Sequence, residues 1–463
     1  PDSVWAALSS GSVRLLRMSW LIDLSKAGKT LCRRQELPEK AFITIEELQD
    51  LFGDGNGDHV LPIIAISSVW LTKVHPDPNG EVLATVVDHM IRARSKYADI
   101  FPEGEMGVFW DWASLFQRER DGSFSSEAEM EGYRIALHDT MDLWYAHHGI
   151  TTLMLTELPE SATREIGYNE SGWATFERCS AEQIKKFTLL FCKWKLLVDL
   201  GQLRASGVGD VAYRRWPVAP ADFDSVIEHK TFHEAADRDA VKSLYRRASV
   251  KQLGGVESLS LQDMVLPTEL DMACLGRYLH LCLSLKTLAL GRAGLTDSLF
   301  VILCETLPSG SLPALQELHL YSNKISDGGM EAFSTCIAAG SLPQLKKLAL
   351  SMNKVGDTGL AALAKIIGQG FLATLKVLDL SLNLIEDEGL AAFAGAITAK
   401  GSLLQLQKLH FNSNQIGDDG IAALAKSISS GSLTGLKSFY VKNNPGDIGP
   451  MKAAVAGGGI RLE

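Results

Sequence analysis

Glu177 stands four residues after Trp173. In a helix that spacing puts both on one face, with the Trp packed down and the carboxylate turned toward a cleft mouth. A fixed carboxylate in a cleft stabilises a developing positive charge. An acid early in a helix is also favoured by the macrodipole alone, and both readings stay open at this point. Other spacings come close to sites and fail on single residues. Gly28-Lys29-Thr30 ends like a phosphate loop, but Asp23 stands where the first Gly is needed. Asp54, Asn56 and Asp58 begin like a calcium loop, but His59 replaces the required Gly and Ala65 the bidentate Glu. His147-His148 has no third ligand at useful spacing, so no metal site is expected.

The elements that must position such residues show best in the C-terminal half, which repeats itself. Leu285, Leu315, Leu345, Leu375, Leu406 and Leu436 follow at intervals of 30, 30, 30, 31 and 30 residues. Each starts an LxxLxL-like run, and alternation sends the spaced leucines to one side of a short strand. A weaker copy starts at Val256. Asn323, Asn353, Asn383, Asn414 and Asn444 lie eight residues after their leucines, where a side-chain amide satisfies backbone groups opened by a turn. Asp297, Asp327, Asp357, Asp387 and Asp418 lie twelve after, and are expected to N-cap the helical runs that follow. Gly310, Gly340, Gly370, Gly401 and Gly431 are expected to end those helices. This unit resembles the leucine-rich repeat of the long, ribonuclease-inhibitor type, over residues 254–463. The resemblance implies a curved solenoid with a parallel sheet on its concave face.

Eighteen strand positions would point from that face, and six of them are Lys. The expected partner-binding set is Lys286, Glu317, His319, Lys346, Lys347, Lys376, Asp379, Lys408, His410, Lys437 and Tyr440, facing an acidic protein partner. A solvated sheet that uses Lys against aggregation is the plainer alternative. No acid–base constellation accompanies these residues.

The chain has 463 residues, 46% hydrophobic and 22% charged, with a formal charge of −10. This excludes collagen, long coiled coil and wholesale disorder, and argues against nucleic acid or an anionic membrane as partner. No eighteen-residue apolar run predicts a membrane span. Seven scattered cysteines without a CxxC pair suit a reducing, cytoplasmic setting. In the N-terminal half, strand-like runs at 61–71, 106–111, 150–158 and 195–200 alternate with helical runs at 80–97, 127–148 and 173–187. The alternation predicts an open parallel sheet with helices on both faces and ligands at the carboxyl ends of its strands. A fifth strand is not evident. The expected organisation is a helical N-terminal extension (1–57), the α/β domain (58–200), a helical linker (201–253) and the repeats (254–463).

The run Tyr168-Asn-Glu-Ser171-Gly-Trp173-Ala-Thr-Phe-Glu177 resembles the Tyr…Ser-x-Trp-Cys-x-x-Glu segment of Toll/interleukin-1 receptor (TIR) domains, with Ala174 in place of the usual Cys. The order of parts is similar too. Ser67-Ser68 ends the first strand, and the loop 112–126 stands where TIR domains carry their BB loop. The resemblance implies a TIR-like, flavodoxin-like domain that recruits partners or self-assembles. In enzymatic TIR domains the matching Glu supports NAD cleavage, which implies Glu177 as catalytic residue. Ser67, Ser68, Trp112 and Trp173 would then line the site, with Trp110 near them. NAD would be a substrate, and no resident cofactor is expected.

Overall fold

The computed structural model describes residues 3–52, 63–72, 74–96, 105–119, 121–147, 149–160, 162–163, 166–183, 185, 195–201, 215–262, 264, 266–398, 402–456 and 459–463. Asp54 through His59, His148, Arg164, Cys192 and Gly401 lie outside the described residues. The chain forms two compact units, Pro1–Arg214 with Pro220–Gln252, and Arg215–Ala219 with Leu253–Glu463.

The first unit is built on a five-stranded sheet. Its strands are β1 (Leu16–Arg17), β2 (Ile63–Ser67), β3 (Gly107–Phe109), β4 (Thr151–Met154) and β5 (Leu197–Asp199), in the order β1-β3-β2-β4-β5. β2 to β5 run parallel, inside the four runs read as strands. All five residues of β2 are buried, as in a strand covered on both faces. The fifth strand comes from ahead of the others: β1 pairs antiparallel with β3, Leu16 opposite Val108, so the sheet is mixed. A two-residue strand leaves no alternation to read. What holds it is burial, since Leu16, Met18, Leu31 and Phe42 share one core cluster with Ile64 and Val108. Arg34 adds a polar staple. Its guanidinium donates to the carbonyls of Gly11 (2.7 Å), Ser12 (2.6 Å) and Ser114 (3.2 Å). Burial lowers its pKa to about 10, which leaves it charged at neutral pH.

The helices are shorter than their sequence patterns. The 80–97 run is helical over Glu81–Lys96. The 127–148 run breaks into Glu127–Ile135, a π-helical turn Ala136–Thr140 and Met141–Ala146. Ser126 caps its start, accepting the Glu129 N–H at 3.2 Å. The Thr140 hydroxyl bonds back to the Ala136 carbonyl (2.9 Å) at the widened turn. The helix carrying Trp173 and Glu177 spans Gly172–Glu182.

In the second unit eight parallel strands follow in chain order: β6 (Ser258–Ser260), β7 (Thr287–Ala289), β8 (Glu317–His319), β9 (Lys347–Ala349), β10 (Val377–Asp379), β11 (Lys408–His410), β12 (Ser438–Tyr440) and β13 (Arg461–Leu462). The weak copy at Val256 supplies β6, and the chain end adds β13. One helix follows each of β6 to β12. Strands space at ~4.8 Å and packed helices at ~8–10 Å, so the stack must curve with its sheet inside.

The asparagines make cross-repeat bonds. Asn383 accepts the Val355 N–H (3.0 Å) and donates to the carbonyls of Leu350 (3.0 Å) and its own Leu380 (3.0 Å). Asn323, Asn353, Asn414 and Asn444 repeat this pattern. The aspartates depart from expectation. Each is the first helical residue rather than the N-cap, and the N-cap residues Thr296, Ser326, Gly356, Glu386 and Gly417 make no side-chain cap bond. Each Asp instead accepts a backbone N–H where the next repeat's helix begins, and Asp327 and Asp387 cap that helix through two N–H groups. Asp327 accepts from Gly356 N–H (2.8 Å) and Gly359 N–H (2.9 Å), and Asp387 from Gly417 (2.7 Å) and Gly420 (2.9 Å). The physical reason is proximity: the next repeat's helix starts beside each carboxylate and presents its first N–H groups to it.

This bridge requires glycine at the third helical position. A Cβ on Gly389 would stand 2.4 Å from Asp357 Oδ1 and 2.8 Å from its Cα. Gly389→Ala should therefore lower stability by ~1–3 kcal/mol. Gly395→Ala meets no atom within 4 Å and should be neutral or raise stability by ~0.5–1 kcal/mol. Thermal unfolding of both variants checks this, and equal effects would contradict the Asp bridge.

Candidate functional site

Two places gather chemistry-bearing side chains, one in each unit. In the first unit β2 lies between β3 and β4, so the chain reverses its winding direction at the β2/β4 junction, where such sheets leave a crevice. Ser67 is the last residue of β2 and Ser68 follows, half-buried. The Ser67 hydroxyl donates to Glu177 Oε2 at 2.7 Å and shares a 2.5 Å hydrogen bond with the Tyr168 hydroxyl. Three of the singled-out residues thus meet at the carboxyl end of one strand. Tyr145, whose hydroxyl donates to the Ile66 carbonyl (3.0 Å), closes the cluster.

Glu177 does not look out of a cleft mouth. It is only 4% exposed, with its carboxyl against the Ser67 hydroxyl at the end of β2. Burial pushes its carboxyl well above the ordinary value, and the negative charge of Asp111 pushes it further. The Ser67 and Tyr145 hydroxyls oppose this. Asp111, just past β3, is itself raised by burial, against the Trp112 N–H (2.7 Å) and the Trp70 indole (3.4 Å). Arg178 is not the counter-ion of Glu177. It pairs with Glu182 (3.2 Å) and reaches Asn169 Oδ1 (3.3 Å). A carboxyl whose pKa burial raises gives up its proton less readily, and it offers charge to a cation only once ionised.

The tryptophans do not converge on it as a clamp. Trp112 donates its indole N–H to the Leu31 carbonyl (3.1 Å) and meets Trp70 and His75 edge-on. Trp173 donates to Asp237 (2.9 Å), and Trp110 is fully buried. A shallow hollow does open at the carboxyl ends of β4 and β5, lined by Glu81, Thr85, Leu155, Glu157 and Gly201, and Glu177 is not in its wall. Among the described residues no three His, Cys, Asp or Glu side chains are grouped to hold a metal.

In the second unit the strand register sorts the expected contact residues into columns. Lys286, Gln316, Lys346, Lys376, Gln407 and Lys437 form the first, each N–H bonded to the preceding carbonyl at 2.7–2.9 Å. Thr287, Glu317, Lys347, Val377, Lys408 and Ser438 form the second, and Ala289, His319, Ala349, Asp379, His410 and Tyr440 the third. Glu317 is engaged by His319 (3.1 Å) and Lys347 (3.9 Å), and Lys286 by Glu257 (2.6 Å). Lys346 reaches Gln316 (3.0 Å), and Asp379 accepts the Ser381 N–H (3.0 Å). His410 stacks on Tyr440 with centroids 4.1 Å apart and planes 6° from parallel. Burial lowers the His410 pKa, so the ring is neutral at pH 7 and stacks as an uncharged aromatic. Sequence reasoning missed the Asp bridge, although the Asp-x-Gly spacing in four consecutive repeats marks it.

Residues 312–334, 342–364, 372–394 and 405–425 match the leucine-rich repeat family model. No curated protein matches the chain. Among solved structures it is similar to an internalin from Listeria monocytogenes, at 21% identity and a TM-score of 0.30, over 46% of this chain and 48% of that one. It is also similar to the Arabidopsis receptor kinase HAESA, solved in complex with a peptide hormone and a co-receptor, at 19% identity and a TM-score of 0.24, over 41% and 39%. The chain spans less than half the length of these two structures. The family model alone shows leucine-rich repeats, a protein-binding class of repeat, between residues 312 and 425.

The Glu177 environment fixes a pH dependence. Its folded pKa lies above the unfolded value near 4.5. The fold is unpenalised below that value and loses stability as pH rises through the folded pKa. Glu177→Gln has nothing to titrate there. Wild-type protein should fall behind this variant in thermal midpoint as the pH goes from 4.5 toward neutrality. A constant gap over that range contradicts the raised pKa of the buried acid.

Proposed function

We propose that the chain is an intracellular protein-interaction protein of the signalling type. Its repeat sheet binds an acidic protein partner, and its α/β unit, with the TIR-like order of parts, recruits a partner or self-assembles. What carries the reading is the first column of the sheet, Lys286–Gln316–Lys346–Lys376–Gln407–Lys437. From β7 to β12 it holds four cations, in a chain of net charge −10, and the acid at its β6 end, Glu257, is taken up by Lys286 (2.6 Å). Such a column steers an acidic surface and orients it along the sheet. The strand–helix unit of about thirty residues supports the ribonuclease-inhibitor class of repeat. Neither nucleic acid nor membrane is the partner on this reading. Among the described residues no helix is long and apolar enough to cross a membrane.

Charge reversal at Lys346, Lys347 and Lys376 should slow association with the protein captured by the full chain and flatten its salt dependence. Reversal of Lys365 and Lys426, on the helices, should leave the rate unchanged. Stopped-flow association over a salt series measures both, and equal losses would contradict the sheet as binding face.

A second reading is an NAD-cleaving enzyme regulated by its repeats. What supports it is the placement of Glu177 against Ser67 beside the β2/β4 junction, where ligands bind in such sheets. Loss of nicotinamide leaves an oxocarbenium-like ribose, which a carboxylate stabilises. Ser68 would border the base, while Trp112 and Trp173 are turned to Leu31 and Asp237. The burial of Glu177 requires that site to open and the acid to ionise. On this reading purified full chain incubated with NAD releases free nicotinamide, and Glu177→Gln stops the release with the fold retained. Wild-type protein without turnover leaves the binding reading alone.

A further inference from the structure

Met352, Leu382 and Leu384 are 54, 50 and 48% exposed. They lie in the two columns that follow the strands. Backbone bonds stitch the first, from Met352 N–H to the Ser381 carbonyl (2.9 Å) and from Leu382 N–H to the Asn412 carbonyl (2.8 Å). The second is stitched from Lys354 N–H to Ile325 (2.8 Å) and from Leu384 N–H to Val355 (2.9 Å). Met352 and Leu382 are thus about one strand spacing apart, ~4.8 Å, in the first column, and exposed Leu384 follows two residues on in the second, beside Lys354.

The fold does not call for these side chains. Met352 and Leu382 have φ of 58° and 57°, in the left-handed region where a Cβ is unfavourable. The same position in other repeats holds Ser322, Ser413 and Asn443, also left-handed. A half-exposed Met or Leu there adds little to the core and keeps apolar area in water. The surroundings are basic. Lys324 and Lys354 occupy the second column beside Leu384 and are exposed, and Arg292 is exposed in the first. Glu386, also exposed, is the acidic residue next along the chain.

We propose that Met352, Leu382 and Leu384, flanked by Lys324 and Lys354, dock a partner segment that presents apolar side chains next to acidic ones. The apolar patch supplies the anchor and the lysines select the charge. This inference rests on the reading of the repeat unit as a binder of an acidic protein, and it adds which part of the surface grips and what the partner must carry.

The test uses the full chain and short fluorescent peptides of three kinds: two Leu flanked by Asp, two Leu flanked by Lys, and Asp with Ser in place of Leu. Anisotropy should show binding of the first alone. A Met352→Ser, Leu382→Ser, Leu384→Gln variant copies residues that other repeats use at these positions, so it should melt like wild type. It should bind the Asp–Leu peptide about tenfold more weakly or worse. Unchanged binding in this variant, with loss on charge reversal at Lys346, Lys347 and Lys376, overturns the rim site and leaves the sheet reading standing. No binding of the Asp–Leu peptide to wild type, or equal binding of the Lys–Leu peptide, overturns the proposal. So does light scattering in which wild type dimerises and the variant does not, since the occupant is then a second copy.

Discussion

At the end of every strand in the repeat unit the backbone turns out of the sheet and leaves polar groups that no neighbouring strand can pair. One asparagine side chain answers this in each of five turns, and it does so across two repeats at once. Asn353, for example, takes the Ile325 N–H (3.1 Å) and gives to the carbonyls of Leu320 (3.0 Å) and Leu350 (3.0 Å). An unpaired buried amide or carbonyl costs ~1–3 kcal/mol, so the repeats are locked in register through these side chains. The aspartates do the same at the helix starts. Two residues per repeat thereby hold both ends of the loop between strand and helix, and the Gly two residues after the Asp leaves room for the bridge.

Everything on the sheet side follows from that lock. With the register set, lysines thirty residues apart become one continuous column, and His410 is brought face to face with Tyr440. The rim carrying Met352 and Leu382 exists because the turn residue before each Asn is forced into the left-handed region. The α/β unit works by the opposite logic. Its sheet end encloses an acid instead of displaying a charge, and hydroxyls from Ser67, Tyr168 and Tyr145 take the place of solvent around it.

Much of this was legible in the sequence where periodicity is long. The LxxLxL ladder located every repeat strand from β7 to β12, and apolar runs located β2 to β5, because burial leaves a pattern that the eye can count. β1 was not legible, since two residues carry no period and its pairing is set by the core around Leu16. The Asp role was misassigned because capping is read locally, whereas these carboxylates act thirty residues away in sequence and next door in space. Glu177 and Ser67 stand out in the sequence as a pair of candidates and do touch, but the raised pKa of the acid also depends on Asp111 and Tyr145, which arrive from two other segments.

The central claim is that side-chain amides acting across repeats hold the recognition face together. Native-state hydrogen exchange of an Asn383→Ala variant tests it most directly. The Val355 amide, which donates to Asn383, should lose protection together with strands β9 and β10, while the β7 amides and those of β2 in the other unit keep theirs. Unchanged protection at Val355, or an equal loss spread over both units, would contradict the account.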